Sequence, residues 1–259
     1  MPHVPGQPKT FYADIDLKTR HPPTEWFAIP GDTIQKGDKV LVLVHGYNND
    51  FQEVMSAYDL LENKFNTICP GRYDRIIGFI WPGGDHKLEY FSARRRCPES
   101  SLAFEELITS LKALNCSVGV SAHSMGCRVI LGALDRMASL SSALLPDNME
   151  IFVSAAAVDN EKLEPNEDYY KLTGVQKPIY VFHSKNDPVL KMAYTLAQMD
   201  LALGLTGPEN PGAIRSSVAV VNCKKVIFDH GEYKQRDQWY AFINGMQTWT
   251  IPTQPFHTL

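Results

Sequence analysis

Between Ser117 and Met137 the chain reads SVGVSAHSMGCRVILGALDRM, and its hydrophobic period changes at a single serine. Small and β-branched residues lead up to Ser124; beyond it Ile130, Ala133, Leu134 and Met137 recur at helical spacing. A serine on such a strand-to-helix corner is held out of the backbone ladder, with its hydroxyl at the N-terminus of the following helix. Strand and helix pass close there, so the neighbours must be small. Ala122 and Gly126 meet that need, writing A-H-S-M-G where the usual elbow is G-x-S-x-G. The alternative is a serine that only caps the helix.

A serine hydroxyl is a weak nucleophile until a histidine takes its proton and a carboxylate orients that histidine. The expected chain order is serine, acid, histidine. Asp187 closes the apolar run KPIYVFHSKND, and His230 closes SVAVVNCKKVIFDHG. Asp159, at the end of MEIFVSAAAVD, is the alternative acid, although its place before Asn160 and Glu161 suits a helix N-cap. Asp187 is preferred, because Pro188 stiffens its turn. His257, in the tail PTQPFHTL, is the rival to His230. An oxyanion hole needs two backbone donors, for which the Met125 amide and the Tyr47 amide of HGYNND are the candidates, Gly46 letting that loop turn in close. His45, Gly46, Trp81 and His123 are pocket candidates, with core packing as the plainer role for His45, His123 and His183. Tyr90, Phe91 and Trp239 suit a pocket or a core equally. The chain has no H-E-x-x-H, no Gly-rich phosphate loop and no metal-ligand spacing, so neither metal nor cofactor is expected.

These residues need elements to hold them. Apolar runs rich in Val and Ile occur at Lys39–Gly46, Arg75–Gly84, Ser117–His123, Met149–Asp159 and Lys177–Asp187, with a less regular one in Ser217–Gly231. Between them lie helical patterns such as SLAFEELITSLKALN, where Phe104, Leu107, Ile108 and Leu111 share a stripe. Alternating strands and helices predict an α/β fold: a doubly wound, mostly parallel sheet with helices on both faces. TFYADID and EWFAIPG, within about residues 10–30, read as opening edge strands, one of them antiparallel. Residues 1–259 read as one domain, with its motifs between about 40 and 242. The charged stretch DNEKLEPNEDYYK predicts no large cap, and Leu190–Ser217 reads as an amphipathic segment that packs on the sheet or covers the site.

At 259 residues and 44% hydrophobic, the chain can bury one sizeable core. A net charge of -4, with only the short ARRRC cluster on the basic side, argues against a nucleic-acid partner. No apolar run is long enough to span a bilayer, and the N-terminus has no apolar core of a signal peptide, so a cytoplasmic location is expected. Five scattered cysteines without a C-x-x-C pair fit free thiols, an exported protein being the alternative.

The runs VLVLVHGYN, IGFIWPGG, SAHSMGCRVILGAL, VSAAAVD and VFHSKNDPVL, covering roughly Val40 to Phe242, resemble the α/β-hydrolase superfamily, and most resemble a bacterial branch of it known as a domain of unknown function. Ala122 departs from the pattern at the first elbow glycine, and around His230 only the histidine itself matches. The resemblance implies a Ser-Asp-His triad like that of serine esterases and lipases and leaves the substrate undefined; the chemistry of such a triad leads us to expect a small-molecule carboxylic ester. A thioesterase or acyltransferase would use the same residues, and a binding protein that kept the fold without turnover belongs to a different class.

Overall fold

The computed structural model describes residues 34–84 and 89–259, together with the backbone pairing of Tyr12 and Ala13. Its centre is built from the apolar runs, each buried on both faces: β2 (Lys39–Val44), β3 (Arg75–Phe79), β4 (Ser117–His123), β5 (Met149–Ser154), β6 (Ile179–His183) and β7 (Val218–Asn222). With β1 (Tyr12–Ala13) and β8 (Phe256–Thr258) at the edges, the sheet has eight strands in the order β1-β3-β2-β4-β5-β6-β7-β8, every pair parallel. Parallel neighbours need crossovers, and helices supply them. After β2 comes α1 (Phe51–Ile68), where Asp50 accepts from the Glu53 amide while the Glu53 side chain accepts from the Asp50 amide. Next come α2 (Tyr90–Ala113) and α3 (Gly126–Leu140), which pack on each other. The short helices α4 (Tyr170–Thr173), α5 (Thr195–Gln198) and α6 (Leu203–Thr206) precede α7 (Asp237–Gly245), which packs against α1.

Phe65 of α1 meets the rings of Trp239 and Tyr240 of α7 edge-on, and Trp239 meets Phe182 of β6 in the same way. This buried cluster locks the α1–α7 layer to the sheet, each large ring contributing on the order of 2–3 kcal/mol by burial. The same layer will form one side of the site.

Several elements depart from the sequence reading. α2 starts at Tyr90, not near Ser101, and runs through Pro98, because Ala93, Cys97, Ala103 and Phe104 bury one continuous face. β5 ends at Ser154 and β7 at Asn222, releasing the residues after them into loops. The tail contributes β8, an unpredicted strand that pairs His257 with Val221. Tyr12 and Ala13 of TFYADID pair parallel to Gly78 and Phe79, against the antiparallel option; EWFAIPG lies outside the described residues. Between β5 and β6 there are turns and α4; between β6 and β7 come a π-helical turn (Leu190–Tyr194), α5 and α6. Among the described residues no helix is long and apolar enough to cross a membrane. All five cysteines are free and buried.

Candidate active site

Ser124 stands between the last residue of β4 and the first turn of α3, with φ at +55°. For a side chain other than glycine this left-handed conformation costs about 1–2 kcal/mol, so its surroundings must impose it. They do so through the backbone: the Ser124 amide donates to Ser154 O at 3.0 Å, and the Ser124 carbonyl accepts from the Cys127 and Ala157 amides at 3.1 Å each. The turn is tight enough to dictate its neighbours. A Cβ on Gly126 would lie 2.2 Å from His45 O, and one on Gly46 would lie 2.9 Å from the Ser124 Cβ. Both positions therefore require glycine, and the β2 loop is pressed against the elbow.

The three residues picked out by chain order come together here. Ser124 Oγ donates to His230 Nε2 at 2.8 Å, and His230 Nδ1 donates to Asp187 Oδ2 at 2.7 Å. Asp187 is fully buried; its other oxygen accepts from the Val189 and Leu190 amides at 3.0 Å each, which fixes the carboxylate's orientation. Two further bonds tie the acid's turn to the histidine's loop. Ser184 Oγ donates to Ile227 O and Asn186 Nδ2 donates to Lys224 O, both at 2.7 Å. The alternative acid lies elsewhere: Asp159 Oδ1 accepts from Tyr194 OH at 2.5 Å, and the residue forms an isolated antiparallel bridge with Ala202 rather than the expected helix start. His257 stays in β8, its ring nitrogen on Gln254 O and its ring against Phe242. His183 ends β6 as a buried residue, with burial pushing its pKa down.

Two other histidines hold the loops. His123 Nε2 donates to His230 O at 2.7 Å while the two rings tilt together at 4.7 Å, so the residue before the serine grips the histidine's backbone. Burial, and then the charge His230 can carry, push its pKa down to about 3. His45 is held on every side. Its Nδ1 donates to Gly46 O at 2.7 Å, the Trp81 amide donates to its Nε2 at 3.1 Å, and the Trp81 indole donates to its carbonyl at 2.8 Å. Burial pushes its pKa down to about 4, and the neutral ring is the form whose Nε2 can accept that amide. Trp81 thus lies behind His45, stacked on it, rather than in the pocket wall.

A cavity of about 530 Å³ opens beside Ser124. His45, Gly46, Tyr47 and His123 line it on the sheet side, and it extends under α1, where Val54, Ala57, Tyr58 and Leu61 form the opposite wall. Sequence reasoning missed that wall. Its signal was present in the helical stripe 54-57-58-61, but a stripe does not say whether it faces core or cavity. Trp239 is part of the wall; Phe91 is exposed at the start of α2, and Tyr90 meets the Tyr47 ring edge-on. The Met125 amide, at the start of α3, has no acceptor among the described residues. No group of three or more His, Cys, Asp or Glu among the described residues could hold a metal ion.

An uncharacterized protein of Nostoc sp., alr1448, is 26% identical over 120 residues, a match covering 38% of this chain and 31% of that relative. Among solved structures, the lin2722 product of Listeria innocua aligns with a TM-score of 0.48 at 9% identity, over 86% of this chain and 98% of its own. TT1662 from Thermus thermophilus aligns with a TM-score of 0.44 at 14% identity, over 82% of this chain and 88% of that one. A 2,6-dihydroxy-pseudo-oxynicotine hydrolase gives 0.41 at 16% identity, over 86% and 66%. A family profile described as "Alpha/beta hydrolase of unknown function (DUF900)" matches residues 28–238. Because that match runs from before β2 into α7 and contains the elbow, the acid's turn and the histidine's loop, the chain belongs to this α/β-hydrolase family.

Proposed function

We propose that this protein is a serine hydrolase of carboxylic esters. Ser124 Oγ attacks the acyl carbon as His230 Nε2 takes its proton, and the carbonyl oxygen gains the negative charge. The Met125 and Tyr47 amides receive that charge. His230 then gives its proton to the leaving alkoxide, the alcohol departs, and an acyl group remains on Ser124. Water, deprotonated by the same nitrogen, releases the acid and restores the hydroxyl. Asp187 keeps the His230 ring in the tautomer with its proton on Nδ1 and stabilises the imidazolium of each transition state.

The observation that carries this reading is the unbroken hydrogen-bond chain from Ser124 through His230 to buried Asp187, ending on a serine in a strained backbone conformation. Strain held at a cavity mouth is characteristic of a functional position, whereas a capping serine needs none. The apolar wall under α1 supports an uncharged, hydrocarbon-like acyl group of short to medium length. The test is labelling with a fluorophosphonate, followed by a panel of soluble acyl esters and thioesters of graded chain length. Ester turnover with labelling of Ser124 is expected. A chain that neither labels nor turns over any acyl compound overturns the proposal in favour of a binding protein on the same fold.

A further inference from the structure

The edge of the sheet that holds Ser124 has an unusual outer surface. After Asp187 the chain turns outward, and Val189, Met192, Leu196 and Met199, at helical spacing, all face solvent, Leu196 being 81% and Met199 93% exposed. A surface helix normally points polar residues outward. Here Leu190 and Tyr194 on the inner side are buried, so the segment is apolar on both sides. Met199 ends α5 at φ +56°, a conformation uncommon for any residue but glycine, which costs free energy while leaving a large apolar side chain in water. Phe228, 56% exposed, adds to this surface from the loop before His230. The strip is continuous with the cavity mouth: Val189 and Ala193 line the cavity together with Asp229 and His230, and the Ser184–Ile227 and Asn186–Lys224 bonds join the two loops.

The charge around this strip also differs from the rest of the chain. Lys185, Lys191, Lys224, Lys225 and Lys234 lie on the same two segments, and none makes a salt bridge among the described residues. Against them stand the exposed Asp200 and Asp229; Glu232 is paired with Arg236, and Asp187 is buried under His230. The rim is therefore cationic on a chain of net charge -4.

We propose that this rim seats the protein on an anionic lipid surface, with the cavity mouth facing the membrane. Exposed Leu and Met side chains enter the headgroup boundary, while lysines beside them lie against the lipid phosphates. A second copy of the chain is a poorer occupant, because a two-fold contact would bring the same lysines face to face. The proposal goes beyond hydrolysis and does not depend on it.

The test is co-flotation of the Ser124→Ala protein, which leaves the bilayer intact, with phosphatidylcholine vesicles with and without phosphatidylglycerol. Binding to the anionic vesicles that weakens with added salt is expected. Leu196→Asp combined with Met199→Asp should lower the partition coefficient by about tenfold or more, since several buried methylenes are lost. Lys191→Glu and Lys225→Glu should each lower it by about fivefold or more. Leu140→Asp, at an exposed leucine on the end of α3 away from the rim, should leave it unchanged. Absence of flotation overturns the proposal, as does an equal loss with Leu140→Asp. Sedimentation velocity showing a dimer that the rim variants dissociate overturns it too, by making the surface an interface between copies.

Discussion

The two ends of the sheet each carry a hydrogen-bonded group of ionisable residues, and they differ in what is left open. At the carboxyl edge Ser124, His230 and Asp187 form a chain beside a cavity, with a backbone held at positive φ. At the amino edge Arg72 makes a two-bond pair with Glu150, Tyr73 OH donates to the same carboxylate at 2.7 Å, and Arg72 Nη1 donates to Ile243 O and Met246 O at the end of α7. That group is sealed: Glu150 is fully buried, and burial together with Glu150 pushes the Tyr73 hydroxyl well above its ordinary pKa. The Tyr73 ring is so close to β4 that a Cβ on Gly119 would lie 2.6 Å from it. A sealed network with every strong donor satisfied cannot reach a substrate; it ties α7 to the sheet. An open network on strained backbone can, and the contrast predicts different responses to mutation.

Removing the hydroxyl at the open end should have the largest effect. Ser124→Ala should abolish fluorophosphonate labelling and lower kcat by about 10⁵–10⁶-fold, some 7–8 kcal/mol, with little change in Tm. Retained labelling would break the comparison at its first term. Asp187→Asn should lower kcat by about 10⁴-fold, near 5 kcal/mol, because the amide cannot hold His230 in the required tautomer; steady-state kinetics and the rate of labelling will tell.

At the sealed end the loss should fall on stability. Glu150→Ala leaves the Arg72 cation buried without its partner and should destabilise by about 3–5 kcal/mol in urea unfolding, while kcat per folded molecule stays near wild type. A comparable drop in kcat would mean that the two ends are coupled through α7.

Acid should act first at the open end. His45 has a folded pKa of about 4 against 6.5 for an ordinary imidazole, so between those values the unfolded chain binds the extra proton. Its stabilising effect is fully present above the ordinary value and is lost as pH falls through that window, by a total on the order of 3 kcal/mol. Urea midpoints measured across the window should fall with pH, and His45→Asn should flatten the slope. The smallest effect belongs to Asp159→Asn, which weakens the bond from Tyr194 OH and the carboxylate's attraction for Arg128, and should cost about 1 kcal/mol of stability with kcat unchanged. A larger kinetic loss there than at Asp187 would redraw the site.

Much of this was legible in the chain because it is local. Each inner strand was an apolar run buried on both faces, and the A-H-S-M-G corner announced its own geometry through small neighbours. Where packing overrode local signals, the reading failed. The helical stripe around Phe104 did not show that α2 begins at Tyr90 and runs through Pro98 to keep one buried face, and nothing in the tail marked a strand, yet β7 had an open edge for β8 to pair with. The wall under α1 was visible as a stripe but not as a cavity lining.

By itself the sequence determined the strand-to-helix corner, the order of serine, aspartate and histidine, and the alternation that makes a parallel sheet. Only the tertiary structure decided which carboxylate meets the histidine. Asp159 and Asp187 both end apolar runs, but His230 bonds a carboxylate 43 residues away and a serine 106 residues away. No local period encodes separations of that length. They follow from β6 and β7 lying side by side, and from the Ser184 and Asn186 bonds that draw the two loops together.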